Sequence, residues 1–116
     1  MCVQFVGYNL TTSSEKATVG LYYTFTCVTT ETVIIFTRDT TNICTITGGN
    51  TDGTCVFHGG YITYYTYTCN PTSNTYTVTI PGSDMTTSLH GTTWQCRNPF
   101  GGTSNIKILY VNGELF

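Results

Sequence analysis

Residues 17–29 read ATVGLYYTFTCVT, and this stretch decides the fold. Val19, Leu21, Tyr23, Phe25 and Cys27 fall on one face of an extended chain, and Gly20, Tyr22, Thr24 and Thr26 on the other. A period of two with one apolar face predicts a strand laid against a core. Its last inward residue is a cysteine, so the partner of Cys27 is the next thing to find.

Working outward, the same pattern recurs. VIIFTRD, after a short polar turn, places Ile34 and Phe36 on one side and Ile35 and Thr37 on the other. ICTIT around Cys44 and TCVFH up to Gly59-Gly60 read as short strands, with GGNTDG as the turn between them. YITYYTYTC alternates until Asn70-Pro71 stops it. TYTVTI from Thr75 points Tyr76, Val78 and Ile80 inward, TTWQCRN is another strand, and NIKILYV closes the chain with strong β character. Eight or nine short strands separated by turn signals predict an all-β sandwich or barrel. The low charge and high Thr content hold throughout, so residues 1–116 are expected to form a single domain.

Composition narrows the function. Only 9 % of the chain is charged and the net charge is -2, so no basic stripe exists to neutralise phosphates and nucleic acid is not an expected partner. No apolar run is long enough for a membrane span, and membrane contact is expected only through regions outside this chain. The start, MCVQFVGYNL, lacks the charged and apolar regions of a signal peptide. The expectation is that Met1 opens a piece of a longer secreted or cell-surface protein. The sequon at Asn9, NLT, agrees with that setting and marks a candidate glycosylation site.

Six cysteines in so short a chain point to an oxidising compartment. Cys96 as a nucleophile needs a base and an electropositive site. The chain offers only His58, His90 and four Lys/Arg. Cys44, Cys55, His58 and Cys69 are ligand types for structural zinc, but their outer spacings fit no recognised knuckle. Neither an enzyme nor a metal or cofactor site is therefore expected. Disulfides remain, and a Cys27–Cys96 bridge closing a loop of about 70 residues would stabilise by roughly 4 kcal/mol.

With these residues assembled, the chain resembles the immunoglobulin superfamily along nearly its whole length. Y-x-F-x-C at Tyr23–Cys27 resembles strand B, IIFTRD at Ile34–Asp39 strand C, and YTVTI at Tyr76–Ile80 strand E. WQC at Trp94–Cys96 resembles the Y-x-C of strand F, and NIKILYV strand G. The long interval between Cys27 and Cys96 is similar to that of variable-type domains. The extra cysteines and the W-x-C strand resemble immunoglobulin-like domains of molluscan surface proteins. The resemblance implies an immunoglobulin-like two-sheet Greek-key sandwich. It also places Phe36 where the family has its core tryptophan, Trp94 where it has its corner tyrosine, and His90 where it has an aspartate. Phe36, Trp94, Tyr23, Phe25 and Val78 are the expected core. Cys44, Cys55 and Cys69 fall where strands C′, C″ and D belong. A bridge within that trio is expected, with the third member and Cys2 pairing, staying free or linking chains.

Sandwiches of this kind usually bind, through loops or sheet faces. One expected surface is the face of strands G, F, C and C′, with Ile35, Thr37, Gln95, Arg97, Lys107 and Leu109 outward. A second is the tyrosine cluster Tyr61, Tyr64, Tyr65 and Tyr67, where amphipathic rings offer contact area at low entropy cost. Core packing and cross-strand pairing are the simpler account of those rings. Phe100, in NPFGG, sits in a near match to the F-G-x-G-T segment of rearranging receptors, one residue short, and reads as a tight glycine turn. The leading expectation is a secreted or cell-surface recognition domain. It would act in adhesion or invertebrate innate immunity by binding a protein partner, a second copy included. The alternatives are a carbohydrate-binding module and a structural spacer in a tandem array.

Overall fold

The computed structural model describes residues 7–48, 55–58, 64–70 and 72–113. Cys2 and Tyr61 lie outside the described residues. Among the described residues eleven strands run in chain order: Asn9–Thr12 (β1), Ala17–Thr18 (β2), Tyr23–Val28 (β3), Val33–Arg38 (β4), Thr41–Thr47 (β5), Val56–His58 (β6), Thr66–Asn70 (β7), Thr75–Ile80 (β8), Thr93–Arg97 (β9), Lys107–Ile108 (β10) and Val111–Asn112 (β11). Among the described residues there is no α-helix, only 3-10 turns at Gly82–Asp84 and Thr87–Leu89. Among the described residues no helix is long and apolar enough to cross a membrane.

The strands form a two-sheet sandwich. One sheet has the order β1-β3-β8-β7 and the other β10-β9-β4-β5-β6, and all neighbours in both are antiparallel. A short parallel pair, β2 with β11, joins the edges.

The β3–β8 pair carries out the alternation in full. Tyr23 faces Ile80, Phe25 faces Val78 and Cys27 faces Tyr76, and all six are buried. On the outer side Thr24 and Thr79 join hydroxyls at 2.9 Å, and the hydroxyls of Thr68 and Thr77 also meet between β7 and β8. Such cross-strand threonine pairs favour the pleated outer surface. In the other sheet Ile34, Phe36, Ile46, Trp94 and Cys96 complete the core. The register of β4 against β5 shifts between Phe36 and Thr37, and this bulge turns both Ile43 and Cys44 inward.

Two disulfides tie the layers. Cys27–Cys96 joins β3 to β9 across the sandwich, with Cα atoms 6.3 Å apart. Cys55–Cys69 joins the segment before β6 to β7, closing the far edge, with Cα atoms 6.2 Å apart. Cys44 is a free, buried thiol.

Residues 17–29 are not one strand. The chain turns at Val19–Leu21, where Gly20 has φ 86° and Leu21 N–H donates to Thr18 C=O at 3.0 Å. Leu21, expected inward, is 60 % exposed. The turn is locked from outside: Gly20 N–H donates to Met85 C=O, and a Cβ on Gly82 would stand 2.4 Å from the Gly20 carbonyl oxygen. The closing NIKILYV segment is likewise split, with β10 on β9 and β11 on β2.

Candidate interaction surface

The hairpin after Cys96 is held by one side chain. Asn98 Oδ1 accepts from the N–H groups of Phe100 at 2.8 Å and Gly102 at 3.0 Å, while Asn98 N–H donates to Gly102 C=O at 2.9 Å. Gly101 takes φ 106°, which an L side chain rarely adopts, and Arg97 bridges Thr103 to close the loop. The segment is thus a tight glycine turn. It leaves the Phe100 ring 92 % exposed at its tip.

Beyond the turn, side chains replace strand pairing. Ser104 N–H donates to Cys96 C=O at 2.8 Å, and its Oγ accepts from Cys96 N–H at 3.0 Å. The Asn105 amide docks on β1 like a peptide group, accepting from Leu10 N–H at 2.9 Å and donating to Leu10 C=O at 3.0 Å. These bonds anchor the start of the closing segment on β9 and β1.

The side-chain parity of that segment differs from the sequence expectation at Lys107 and Leu109. Lys107 pairs with Trp94, whose ring is in the core, so the Lys107 position faces the same way and is half-buried. Leu109 is 1 % exposed and bonds to the β9 side, donating to Thr92 C=O and accepting from Gly91 N–H. The outward residues are Ile106, Ile108 and Tyr110, which are 58 %, 46 % and 47 % exposed. A one-residue shift exchanges the two faces of a strand.

Two more expected face residues are covered. Ile35 and Thr37 are on the outer side of β4 yet buried, at 7 % and 3 % exposure. The cause is a roof: Arg97 on β9 reaches Asn42 on β5 at 3.0 Å, crossing β4 beside them. Gln95 is half-buried and donates to Ser104 C=O at 3.0 Å. Of the residues named from sequence, Gln95, Arg97 and Phe100 therefore remain on this side, joined by the three residues that parity exposes.

Ile106, Ile108 and Tyr110 also border a groove of about 430 Å³, whose opposite wall includes Thr12, Glu15 and Lys16. Here β1 has ended and β2 has not begun. The outer edge of the last strand is bonded at Asn105 and again where Ala17 N–H meets Tyr110 C=O at 2.8 Å.

The tyrosine cluster divides. Tyr65, expected on a binding face, is buried at 5 % exposure, and its hydroxyl accepts from Arg38 at 3.2 Å. Tyr67 is half-buried, and Tyr64 is the exposed ring at 60 %. Asn9 is exposed at the start of β1.

Among the described residues the cysteines are disulfide-bonded or buried. Cys96, Cys55 and Cys69 are bonded sulfurs, so neither a Cys96 nucleophile nor the zinc set considered from sequence is present. His90 Nδ1 accepts from Val111 N–H at 3.0 Å. Burial pushes the Cys44 thiol up to about 12, so it stays protonated near neutrality. The chain matches no known protein family and no curated protein.

Proposed function

We propose that this chain is an immunoglobulin-superfamily domain acting outside the cell, a recognition domain that binds a protein partner, here a second copy of itself, through the last strand and its hairpin. The observation that carries the reading is the row Ile106, Ile108, Tyr110, exposed on alternate residues of the segment that runs through edge strand β10, with the bare ring of Phe100 on the hairpin leading into it. Exposed aromatic and branched side chains in one region mark association surfaces more often than scattered ones do. A charge of only -2 offers little repulsion between copies. Two disulfides support an oxidising environment outside the cytosol.

Sedimentation equilibrium across a wide concentration range tests this. A monomer–dimer equilibrium is expected, weakened about tenfold or more by Ile108→Asp, which places a charge in the centre of the row. Strictly monomeric behaviour at the highest concentration, or an association indifferent to Ile108→Asp, would refute it.

A further inference from the structure

A second surface lies at the other end of the sandwich. β4 runs from Val33, near the Phe100 hairpin, to Arg38, and the chain turns back at Asp39 and Thr40. There the 3-10 turns between β8 and β9, together with the turn before β7, enclose a cleft of about 460 Å³. Arg38, Asp39, Tyr64, Asp84, Ser88 and Thr92 line it.

Its polar groups are only partly used. Arg38 is half-buried, and among the described residues it has one hydrogen bond, to the Tyr65 hydroxyl, with no carboxylate in ion-pair distance. A guanidinium carries five N–H donors, so most of its capacity faces the cleft or solvent. Asp39 accepts from Thr93 N–H at 2.8 Å and Thr93 Oγ1 at 3.2 Å, both through Oδ1, leaving Oδ2 free. Asp84 is half-buried, with no side-chain partner among the described residues. Tyr64 stands edge-on to Tyr65, ring centroids 5.2 Å apart, and exposes its own ring.

Charge selects the ligand class. Two carboxylates against one guanidinium leave the cleft negative, which disfavours phosphate, sulfate and acidic sugars. The guanidinium equally disfavours a simple ammonium. A neutral polyol satisfies both: adjacent hydroxyls donate to carboxylate oxygens, a hydroxyl or ring oxygen accepts from the guanidinium, and C–H groups pack on an aromatic face. From this juxtaposition of Arg38, Asp39, Asp84 and the exposed Tyr64 ring we infer that the cleft binds a neutral sugar residue. It takes the sugar either free or at the end of a glycan. The site is separate from the association surface proposed above.

The test uses the full chain with methyl α-mannoside, methyl β-galactoside, N-acetylglucosamine and sialic acid. Each is titrated to tens of millimolar and followed by saturation-transfer NMR, beside a printed array of N- and O-glycans. At least one neutral sugar is expected to saturate near about 1 mM, the affinity that a few hydrogen bonds and one ring contact support. Asp84→Asn and Tyr64→Ala each weaken it about tenfold or more, Tyr64→Trp retains it, and Ile108→Asp leaves it unchanged. Thermal melting confirms that each variant is folded, and Tyr64→Trp with Asp84→Asn keeps the test decisive if Tyr64→Ala is not. Signal on the array without free-sugar binding places the site on extended glycans; free-sugar binding places it on the single residue. No binding in either format overturns the inference. So does a preference for sialic acid, or neutral-sugar binding that survives both Asp84→Asn and Tyr64→Ala.

Discussion

The Trp94 indole lies flat on the Phe25 ring, with centroids 4.3 Å apart and planes inclined by 14°. Each residue sits two positions before a cysteine of the central bridge, Phe25 on β3 and Trp94 on β9, so stack and disulfide are successive rungs between the same two strands. Removing the bridge as Cys27→Ala/Cys96→Ala is expected to cost about 4 kcal/mol from loop closure over 69 residues. Urea denaturation of the oxidised protein and the double variant measures it. A loss below about 1 kcal/mol would contradict the account of the bridge as the main staple.

Trp94 holds the corner where the family resemblance implies a tyrosine, and it does so through a relay. Its Nε1–H donates to Thr92 Oγ1 at 2.9 Å, and that hydroxyl donates to Leu89 C=O at 2.7 Å. Thr92→Val keeps the shape but strands a buried indole N–H, at a cost of about 1–3 kcal/mol. Thr92→Ser retains the hydroxyl and should lose much less. Equal losses for Val and Ser in thermal or urea unfolding would show that the relay contributes nothing.

Alkaline sensitivity follows from four buried groups. Burial raises Cys44 from 9.0 to about 12, and burial is also the largest cause that raises Tyr8, Tyr65 and Tyr76 above 10.0. The folded state then keeps protons that the unfolded chain releases, so stability is full below the unfolded value near 9 and falls as pH rises toward 12. Urea midpoints measured across that range should decline, and Cys44→Ala should flatten the decline. A midpoint independent of pH there would contradict the burial of these groups.

Asn98 and Phe100 separate stability from binding. Asn98→Ala removes the acceptor of two turn amides and should cost about 1–2 kcal/mol. Phe100→Ala removes a ring that is 92 % exposed, so the melting temperature should hardly change while self-association weakens. A marked destabilisation by Phe100→Ala would mean the ring packs on this chain rather than on a partner.

What the sequence conveyed, and what it did not, has a physical pattern. β3 and β8 were legible because each has one wet face and one dry face, and alternation records that difference directly. The pairing of Cys55 with Cys69 falls within the trio that the resemblance assigned to the edge strands. The burial of Ile35 and Thr37 was not legible, because their roof joins Arg97 and Asn42, which are 55 residues apart. In NIKILYV, Ile106, Ile108, Leu109, Tyr110 and Val111 are all apolar or aromatic, so alternation alone sets no parity. The parity comes from the pairing of Lys107 with Trp94, a contact between strands. For the same reason the exposed row was missed, although its Ile106-x-Ile108-x-Tyr110 spacing was present. Tyr65 is a site-level correction: substituting it would damage the core, so Tyr64 is the ring with which to probe binding.

In the proposed dimer Phe100, Ile106, Ile108 and Tyr110 form the contact between copies. Amide NMR spectra recorded through a dilution series test it most directly. Concentration-dependent shifts are expected on residues 98–110 and on the facing groove wall at residues 12–16, with the end that carries Arg38 and Tyr64 unmoved. Spectra identical at all concentrations, or shifts centred away from that edge, would contradict it.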